Sequence, residues 1–193
     1  MELVFVTGNE GKRREVQGRL PDWVDVLSLK DIGWQEDIEE TEPTMAGNAI
    51  LKARTVHQVT GRACFADDTG LCVDALSGAP GVYSARYAGP QVDAERNMEK
   101  LLSELAGIED RSAHFETSIA LILEDEVFVF KGIIEGRIAY ERNGDGGFGY
   151  DPIFVPNGHD RSFAQFSTEE KGAISHRGRA LQKMADFLDR LKV

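Results

Sequence analysis

Residues 3–17, LVFVTGNEGKRREVQ, join a run of apolar residues to a glycine-containing turn and then to a basic segment. The apolar run over residues 2–6 predicts a buried strand, and the pattern over residues 12–20 predicts a short helix. Gly8 and Gly11 allow the backbone to turn tightly between the two. A strand that leads directly into a helix is a common anion-binding arrangement, because the first N–H groups of the helix have no partner within it.

The polar side chains of this turn suit an anion, although the spacing is not that of the common phosphate-binding loop. Thr7 and Asn9 offer hydrogen-bond donors, and Lys12 offers a positive charge. The P-loop pattern G-x-x-x-x-G-K-[ST] is absent, because Arg13 follows the lysine and the glycines lie too close together. The alternative interpretation is a tight strand-to-helix connection whose polar residues bind nothing.

The composition indicates a globular protein without a surface for coating nucleic acid. The 193 residues are 41% hydrophobic and 28% charged, enough for a single domain over residues 1–193 with a full core. The net charge is −11 and no basic stripe stands out, so a DNA or RNA polymer is not the expected partner. No apolar run approaches the ~20 residues that span a bilayer, and no signal-peptide pattern precedes the first strand. Cys64 and Cys72 lack nearby Cys or His partners, which argues against zinc or a disulfide. We therefore expect a cytoplasmic protein without a membrane partner.

The remaining pattern mixes helices and strands without strict alternation, which predicts an α/β fold with helices packed on a mixed sheet. The best-marked helix is predicted over residues 45–60, because Thr44 can cap its start and Gly61 suits its end. Two long strands are predicted within residues 112–137, joined at the acidic turn EDE. The other predicted elements are a strand over 24–29, two extended pieces around a polar turn within 63–76, a helix over 93–105 and a C-terminal capped turn followed by an amphipathic helix.

Two adjacent aspartates form the first candidate for catalysis. In FADDTG, residues 65–70, Asp67 and Asp68 are predicted to lie where a buried strand ends. Adjacent side chains on a strand point to opposite sides, so one carboxylate can face a cleft while the other braces the turn. A carboxylate that faces phosphate needs a cation, and Mg²⁺ suits both oxygen types. The alternative is a plain acidic turn followed by Gly70.

Two further connections contain side chains suited to a metal or a base. The stretch EDIEETEP offers a second metal carboxylate, or forms a solvated loop, with Glu36, Asp37, Glu39, Glu40 and Glu42. In GDGGFGYDP, residues 144–152, the glycines permit close backbone approach, and Phe148 and Tyr150 offer aromatic faces on which a base can stack. This loop does not match the dinucleotide fingerprint, because Pro152 occupies its last position. A bulged hairpin loop is the alternative.

A basic cluster precedes the last helix, in EEKGAISHRGRAL at residues 169–181. Lys171 can reach a phosphate, and His176 and Arg177 can donate hydrogen bonds to an oxo group on a base. Each of these residues taken alone is equally typical of a surface or of helix capping. Taken together, the phosphate loop, the paired aspartates, the glycine-rich loop and this cluster are the parts of a nucleotide-hydrolysing site.

The motifs TGNEGK, FADDTGL, GAPGVYSARYAG, GGFGYDPIF and EEKGAISHRGRAL resemble those of the inosine triphosphate pyrophosphatase family. That family is also described as the dITP/XTP or non-canonical purine NTP pyrophosphatases. The resemblance extends from Thr7 to about Leu181, with the motifs in the family's order and spacing. It implies a long, twisted mixed sheet with flanking helices, two lobes around a central active-site cleft, a homodimer and a requirement for Mg²⁺.

The resemblance also implies a role for individual residues. Asp68 corresponds to the general base and to a metal carboxylate, and Glu40 corresponds to the second metal carboxylate. Thr69 stands where many bacterial members have Ser, and either hydroxyl can donate to phosphate. The remaining substrate-binding positions are Thr7, Gly8, Asn9, Glu10, Gly11 and Lys12 for the triphosphate, and Phe148, Gly149, Tyr150, Asp151, Lys171, His176 and Arg177 for the base pocket.

The expected activity is hydrolysis of ITP, dITP and XTP to the monophosphate and pyrophosphate, which cleanses the nucleotide pool. One alternative is a pyrophosphatase for modified pyrimidine or methylated nucleotides, as in the related septum-inhibitor-like family. Another class is a nucleotide-binding regulator without turnover. The paired aspartates argue against a regulator, because binding alone gains little from carboxylates placed beside phosphate.

Overall fold

A computed structural model describes residues 1–16 and 18–191, which form two compact units. The first unit comprises residues 1–68, residues 117–132 and the described chain from Arg177 onward. The second unit comprises residues 69–116 and 133–176. The two units agree with the two lobes that the resemblance implies, while the cleft between the lobes stays a prediction.

In the first unit, helices pack on both faces of a sheet ordered β2-β1-β3-β5-β6. Strand β1 runs parallel to both β2 and β3. Alternate residues of β1 serve opposite faces: Leu3 packs with Leu181 of α5, whereas Val4 packs with Ala53 of α2. The elements that lie in or enter this unit are β1 Glu2–Phe5, α1 Glu10–Val16, β2 Asp25–Ser28, α2 Met45–Thr60, β3 Cys64–Val73, β5 Ser112–Leu123, β6 Glu126–Ile138 and α5 His176–Leu191.

The second unit contains the outer parts of β3, β5 and β6 together with two short antiparallel strands. One of these strands pairs with β3 and the other with β6. The hydrophobic core of the second unit includes Leu71, Met98, Phe154 and Phe163. The elements found only here are β4 Pro80–Gly81, α3 Ala94–Glu104, β7 Phe154–Pro156 and α4 Thr168–Ile174. The predicted α/β fold with a mixed sheet is thus confirmed.

The ends of α2 agree with the prediction, whereas those of α1 do not. The Thr44 hydroxyl accepts from the Gly47 N–H at 3.0 Å, and Gly61 adopts φ 66° with its N–H bonded to the His57 carbonyl. Helix α1 begins at Glu10, two residues before the predicted start, because Asn9 caps it by accepting from the Lys12 N–H. It ends at Val16; of the predicted remainder, residue 17 lies outside the described residues.

The turn predicted at Asp67 and Asp68 was wrong. Residues 64–73 form one continuous strand, β3, so Asp67 and Asp68 lie in its middle and no turn follows them. The letters DDTG are typical of turns when the side chains are solvated. Here both carboxylates are buried and bonded to other side chains, so the backbone remains extended. The hairpin expected at EDE is confirmed, and its turn residues Glu124 and Asp125 have φ of 48° and 68°.

No helix of residues 1–16 or 18–191 is both long enough and apolar enough to cross a bilayer. Neither Cys64 nor Cys72 forms a disulfide within the described part of the chain.

Candidate active site

The loop after β1 is held by its own side chains. The Thr7 hydroxyl accepts from the Asn9 N–H at 3.2 Å, and the Asn9 side-chain oxygen accepts from the Lys12 N–H at 3.1 Å. One of the N–H groups expected to meet an anion is therefore already used within the loop. Gly8, Asn9 and Glu10 are exposed, whereas Gly11 is buried against the unit. The exposed part of the loop is the part that an anion can reach.

Asp67 lies in a buried cluster of charges within the first unit and is 1% exposed. Its Oδ1 lies 3.1 Å from the Lys12 Nζ, and its Oδ2 accepts from the Arg177 Nε at 2.9 Å. The Arg177 guanidinium also donates to Glu15. Burial alone raises the pKa of the Asp67 carboxyl, but the charges of Lys12, Arg177 and Lys52 outweigh it, so the pKa lies well below its usual value. Asp67 therefore stays ionised at neutral pH and holds two cationic side chains in place.

Asp68 has a different environment, although it is also buried, with 5% exposure. Its Oδ2 accepts from the Asn48 Nδ2 at 3.1 Å. Burial raises the pKa of this carboxyl, and the charge of Glu40 raises it further. Lys52, Lys12 and the Asn48 hydrogen bond lower it, yet the net effect is a raised pKa. A carboxylate whose pKa is raised towards neutrality is the better general base of the pair.

The acidic stretch contributes one half-buried carboxylate, Glu40. Its Oε1 accepts from the Lys52 Nζ at 2.5 Å, and the same Nζ donates to the Asp67 carbonyl at 2.7 Å. The other four carboxylates of the stretch are exposed, namely those of Glu36, Asp37, Glu39 and Glu42. Burial and the shared lysine therefore distinguish Glu40 from its neighbours, a distinction that the letters alone do not make.

The donors in this cluster suit a magnesium ion. Glu40 and Asp68 supply hard carboxylate oxygens, and the charge of Glu40 acts on Asp68. Within residues 1–16 and 18–191, no group of three or more His, Cys, Asp or Glu side chains is arranged to hold a metal. Magnesium is commonly held by one or two carboxylates, with substrate phosphates and water completing its shell. Two carboxylates are therefore enough when a triphosphate is bound.

Helix α2 supplies two polar residues that the sequence interpretation missed, Asn48 and Lys52. They lie one turn apart and next to the buried residues Ala49 and Ala53. A helical projection of α2 would have exposed this signal, since polar side chains beside a buried stripe need partners there.

In the second unit, Asp151 organises the glycine-rich loop and is 2% exposed. Its Oδ2 accepts from the Phe148 N–H at 2.8 Å and from the Lys171 Nζ at 2.6 Å. The Lys171 Nζ also lies 4.6 Å from the centre of the Phe148 ring. Gly147 has φ 71°, and a Cβ there would lie 2.2 Å from the Asp151 Oδ2. The loop therefore requires glycine at this position, both for its backbone and for the carboxylate packed against it.

The ring side chains predicted for the base pocket differ in how accessible they are to a base. Tyr150 is buried in the core, and its hydroxyl donates to the Ser84 carbonyl at 2.8 Å. Phe148 is half-buried, so it is the ring of the pair that a base can reach. His176 is buried and stacks on Phe115, with ring centres 4.6 Å apart and an interplanar angle of 18°.

The predicted residues thus fall into two sets, one in each unit. The first unit brings together Lys12, Glu40, Asp68 and Arg177, and the second brings together Phe148, Asp151 and Lys171. Thr69 follows Asp68 directly along β3 and is half-buried, and Gly149 has φ 63°. Arg177, expected at the base, donates to Glu15 and Asp67 in the structure. Its role towards a base stays a prediction.

Comparison with known proteins gives consistent matches over the whole chain. Residues 3–187 match the model of the Ham1 family. The chain is 52% identical over 192 residues to the dITP/XTP pyrophosphatase of Flavobacterium johnsoniae, with 100% of each chain covered. It is 46% identical to the dITP/XTP pyrophosphatase of Bacillus subtilis, with 97% of each covered. The solved structure of the Staphylococcus aureus Ham1 protein superposes with a TM-score of 0.90 at 42% identity, covering 99% of this chain and 100% of that one.

Proposed function

This chain belongs to the Ham1 family, and we propose that it hydrolyses the 6-oxopurine triphosphates ITP, dITP and XTP to the monophosphate and pyrophosphate. Relatives about half identical over their full length are named dITP/XTP pyrophosphatases. The observation that supports hydrolysis most strongly is the buried Asp68 carboxylate, whose pKa is raised and which shares one unit with Glu40, Lys12 and Lys52. A site that only binds nucleotide would gain little from a buried carboxyl with a raised pKa.

In the proposed reaction, Asp68 takes a proton from the attacking water, and the bond between the α- and β-phosphates breaks. Glu40 and Asp68 would hold Mg²⁺, which, when bound, neutralises phosphate charge and increases the acidity of water. Lys12 stabilises negative charge on the phosphates from a fixed position, because Asp67 holds its Nζ at 3.1 Å. Asp67 is buried and paired with both Lys12 and Arg177, so it supports the site without needing to contact the substrate.

The choice of base has a physical explanation. Hypoxanthine and xanthine present an oxo group at position 6 and a protonated N1, whereas adenine presents an amino group and a bare N1. His176 and Arg177 would donate to the oxo group, and Phe148 would stack on the base. Adenine would present no acceptor at position 6 to these donors, and discrimination of this kind reaches ~10⁴-fold.

The proposal includes a homodimer, as the family resemblance implies, and a cytoplasmic location, which the composition favours. Its partner is a free nucleotide rather than a nucleic-acid polymer or a membrane. The net charge of −11 supports the exclusion of a polymer. Sedimentation equilibrium at micromolar concentration tests the dimer, and a single species of 21.3 kDa would contradict it.

The direct test of the activity is product analysis after incubation of the protein with ITP and Mg²⁺. We expect IMP and pyrophosphate in equal amounts, and no product when the metal is chelated. Formation of IDP and phosphate would contradict the proposal. Faster turnover of a methylated or modified pyrimidine triphosphate in the same assay would favour the alternative substrate class.

A further inference from the structure

Helix α2 connects the acidic stretch to strand β3 through two side chains one turn apart. Lys52 joins the Glu40 carboxylate to the Asp67 carbonyl, at 2.5 and 2.7 Å. Asn48, which is 2% exposed, makes a parallel connection. Its Oδ1 accepts from the Glu42 N–H at 2.9 Å, and its Nδ2 donates to the Asp68 Oδ2 at 3.1 Å.

The two partners of Asn48 determine which way its amide group faces. The Glu42 N–H can only donate, so it requires the amide oxygen. The Asp68 carboxylate, when ionised, can only accept, so it requires the amide nitrogen. An asparagine satisfies both partners at once, and an apolar residue of similar size satisfies neither. This amide therefore holds the Asp68 side chain and the backbone of the acidic stretch in a fixed relation.

Gly47 provides independent evidence that the acidic stretch is packed closely on α2. A Cβ at this position would lie 2.8 Å from the Glu42 Cβ and 3.0 Å from the Thr44 Oγ1. The Glu42 Cβ is attached directly to the backbone, so a larger residue at position 47 would displace the stretch itself. The absence of a side chain at Gly47 thus brings Glu42 within reach of Asn48.

We propose that Asn48 is a positioning residue that sets the distance between the Glu40 and Asp68 carboxylates. Glu42 is two residues from Glu40, so anchoring its N–H restrains the backbone that bears Glu40. The same amide group restrains the Asp68 carboxylate. Magnesium demands near-ideal octahedral geometry, so a small change in this spacing weakens its binding. The catalytic consequence of this inference rests on the proposed pyrophosphatase function, whereas its geometric part does not.

The test compares Asn48→Leu and Gly47→Ala with the wild type and with Thr44→Ala as a control. Thr44→Ala removes the side-chain cap of the same helix and leaves the Asn48 side-chain hydrogen bonds to Glu42 and Asp68 in place; the Thr44 carbonyl, which accepts from the Asn48 N–H, is also kept. Mn²⁺ is the probe: its binding is followed by the loss of the free-ion electron paramagnetic resonance signal, with and without a non-hydrolysable ITP analogue. Exchange of the Glu42 amide hydrogen is measured in metal-free protein, and kcat and KM for ITP are measured with Mg²⁺.

We expect Asn48→Leu to weaken Mn²⁺ binding and lower kcat by about 10-fold or more, as for other residues that orient metal ligands. KM for ITP should change by less than about 3-fold, since the phosphate and base contacts remain. The Glu42 amide should exchange faster. Gly47→Ala should change metal binding in the same direction, although alanine favours helix formation. Thr44→Ala should lower the melting temperature while leaving Mn²⁺ affinity unchanged.

Wild-type Mn²⁺ affinity in Asn48→Leu would overturn the proposal, as would an equal loss in Thr44→Ala. If Asn48→Leu does not fold, Gly47→Ala decides, because unchanged Mn²⁺ affinity in that variant also overturns it. Failure of the proposed function looks different: a wild type that hydrolyses no triphosphate but shows the expected order of Mn²⁺ affinities would support the positioning role alone.

Discussion

Asp67 and Asp68 are consecutive residues of one strand, yet the pKa values of their carboxyls are shifted in opposite directions. Asp67 lies between Lys12 and Arg177, with both oxygens in ion pairs, and its pKa lies below its usual value. Asp68 receives a hydrogen bond from Asn48 and has a raised pKa. The alternation of side chains along a strand places the two carboxylates in these different surroundings. Asp67 is suited to holding the side chains of Lys12 and Arg177, whereas Asp68 is suited to accepting a proton.

Replacing Asp68 by Asn should abolish most of the turnover while the fold remains. The amide keeps the size of the carboxylate but cannot accept a proton, and loss of a general base typically costs about 10²–10⁴-fold. The measurement is kcat for pyrophosphate release from ITP, with circular dichroism as the check on folding. Asp37→Asn is the control, since Asp37 is an exposed acid of the same unit. Near-full turnover in a folded Asp68→Asn variant would show that the base lies elsewhere.

Glu40 and Glu39 form a matched pair for testing the metal. Glu40→Gln removes a charge beside Asp68, so the Mg²⁺ concentration for half-maximal activity should rise about 10-fold or more. Glu39→Gln removes an equal charge from an exposed position and should change this concentration by less than about 2-fold. The measurement is the Mg²⁺ dependence of the initial rate. Equal shifts in the two variants would mean that the stretch acts only through its total charge.

Asp67 should determine part of the stability in acid. Its folded pKa is depressed, so its stabilising contribution is complete above the unfolded pKa near 3.8 and is lost as pH falls below that value. Asp67→Asn should lower the free energy of unfolding by about 3–5 kcal/mol at pH 7, because Lys12 and Arg177 stay buried without it.

The difference from the wild type should narrow as pH falls below about 4, since the wild-type carboxyl then takes up a proton on unfolding. Urea denaturation of metal-free protein between pH 3 and pH 7 measures both effects. Asp74→Asn, at an exposed position, is the control. A difference that is independent of pH would contradict the assignment of the charge to Asp67.

Gly147→Ala should be more destabilising than an alanine at another glycine of the same backbone conformation. Gly147 and Gly158 have φ of 71° and 81°, but only at Gly147 would the added Cβ meet Asp151, at 2.2 Å from its Oδ2. Both variants incur the left-handed penalty of about 1–2 kcal/mol. Gly147→Ala should lose a further ~1–3 kcal/mol from the clash and also lose kcat/KM for ITP. Thermal unfolding of both variants is the measurement, and equal losses would show that Asp151 moves away without cost.

The sequence predicts best where a local signal coincides with the final structure. Helix α2 was predicted correctly over residues 45–60, because a capping threonine and a left-handed glycine act within one turn of its ends. The hairpin at Glu124 was also predictable from a local signal, because the short acidic turn EDE separates two strand patterns. Strand β3 was not predicted as one continuous strand, because the sequence DDTG is typical of a turn. The partners that keep it extended, Arg177 among them, come from distant parts of the chain.

The candidate site shows the same contrast between residues marked by a local motif and residues whose partners are distant in sequence. The motifs singled out Asp68 and Lys171 as candidates because each stands in a recognisable stretch of sequence. Asn48 and Lys52 were missed, since nothing next to them in sequence indicates that their partners are Asp68 and Glu40. Glu40 could be separated from its acidic neighbours only by its burial and its bond to Lys52.

The most direct measurement is the ratio of kcat/KM for ITP to that for ATP, with Mg²⁺ at saturation, in a pyrophosphate-release assay that also includes dITP, XTP and GTP. A pocket that donates to a 6-oxo group predicts that ITP, dITP and XTP each exceed ATP, with ITP ahead of ATP by at least about 100-fold. Guanine shares the 6-oxo group, so the slower turnover expected for GTP rests instead on its 2-amino group, which would meet no acceptor or too little room. Equal rates for ITP and ATP would contradict the account.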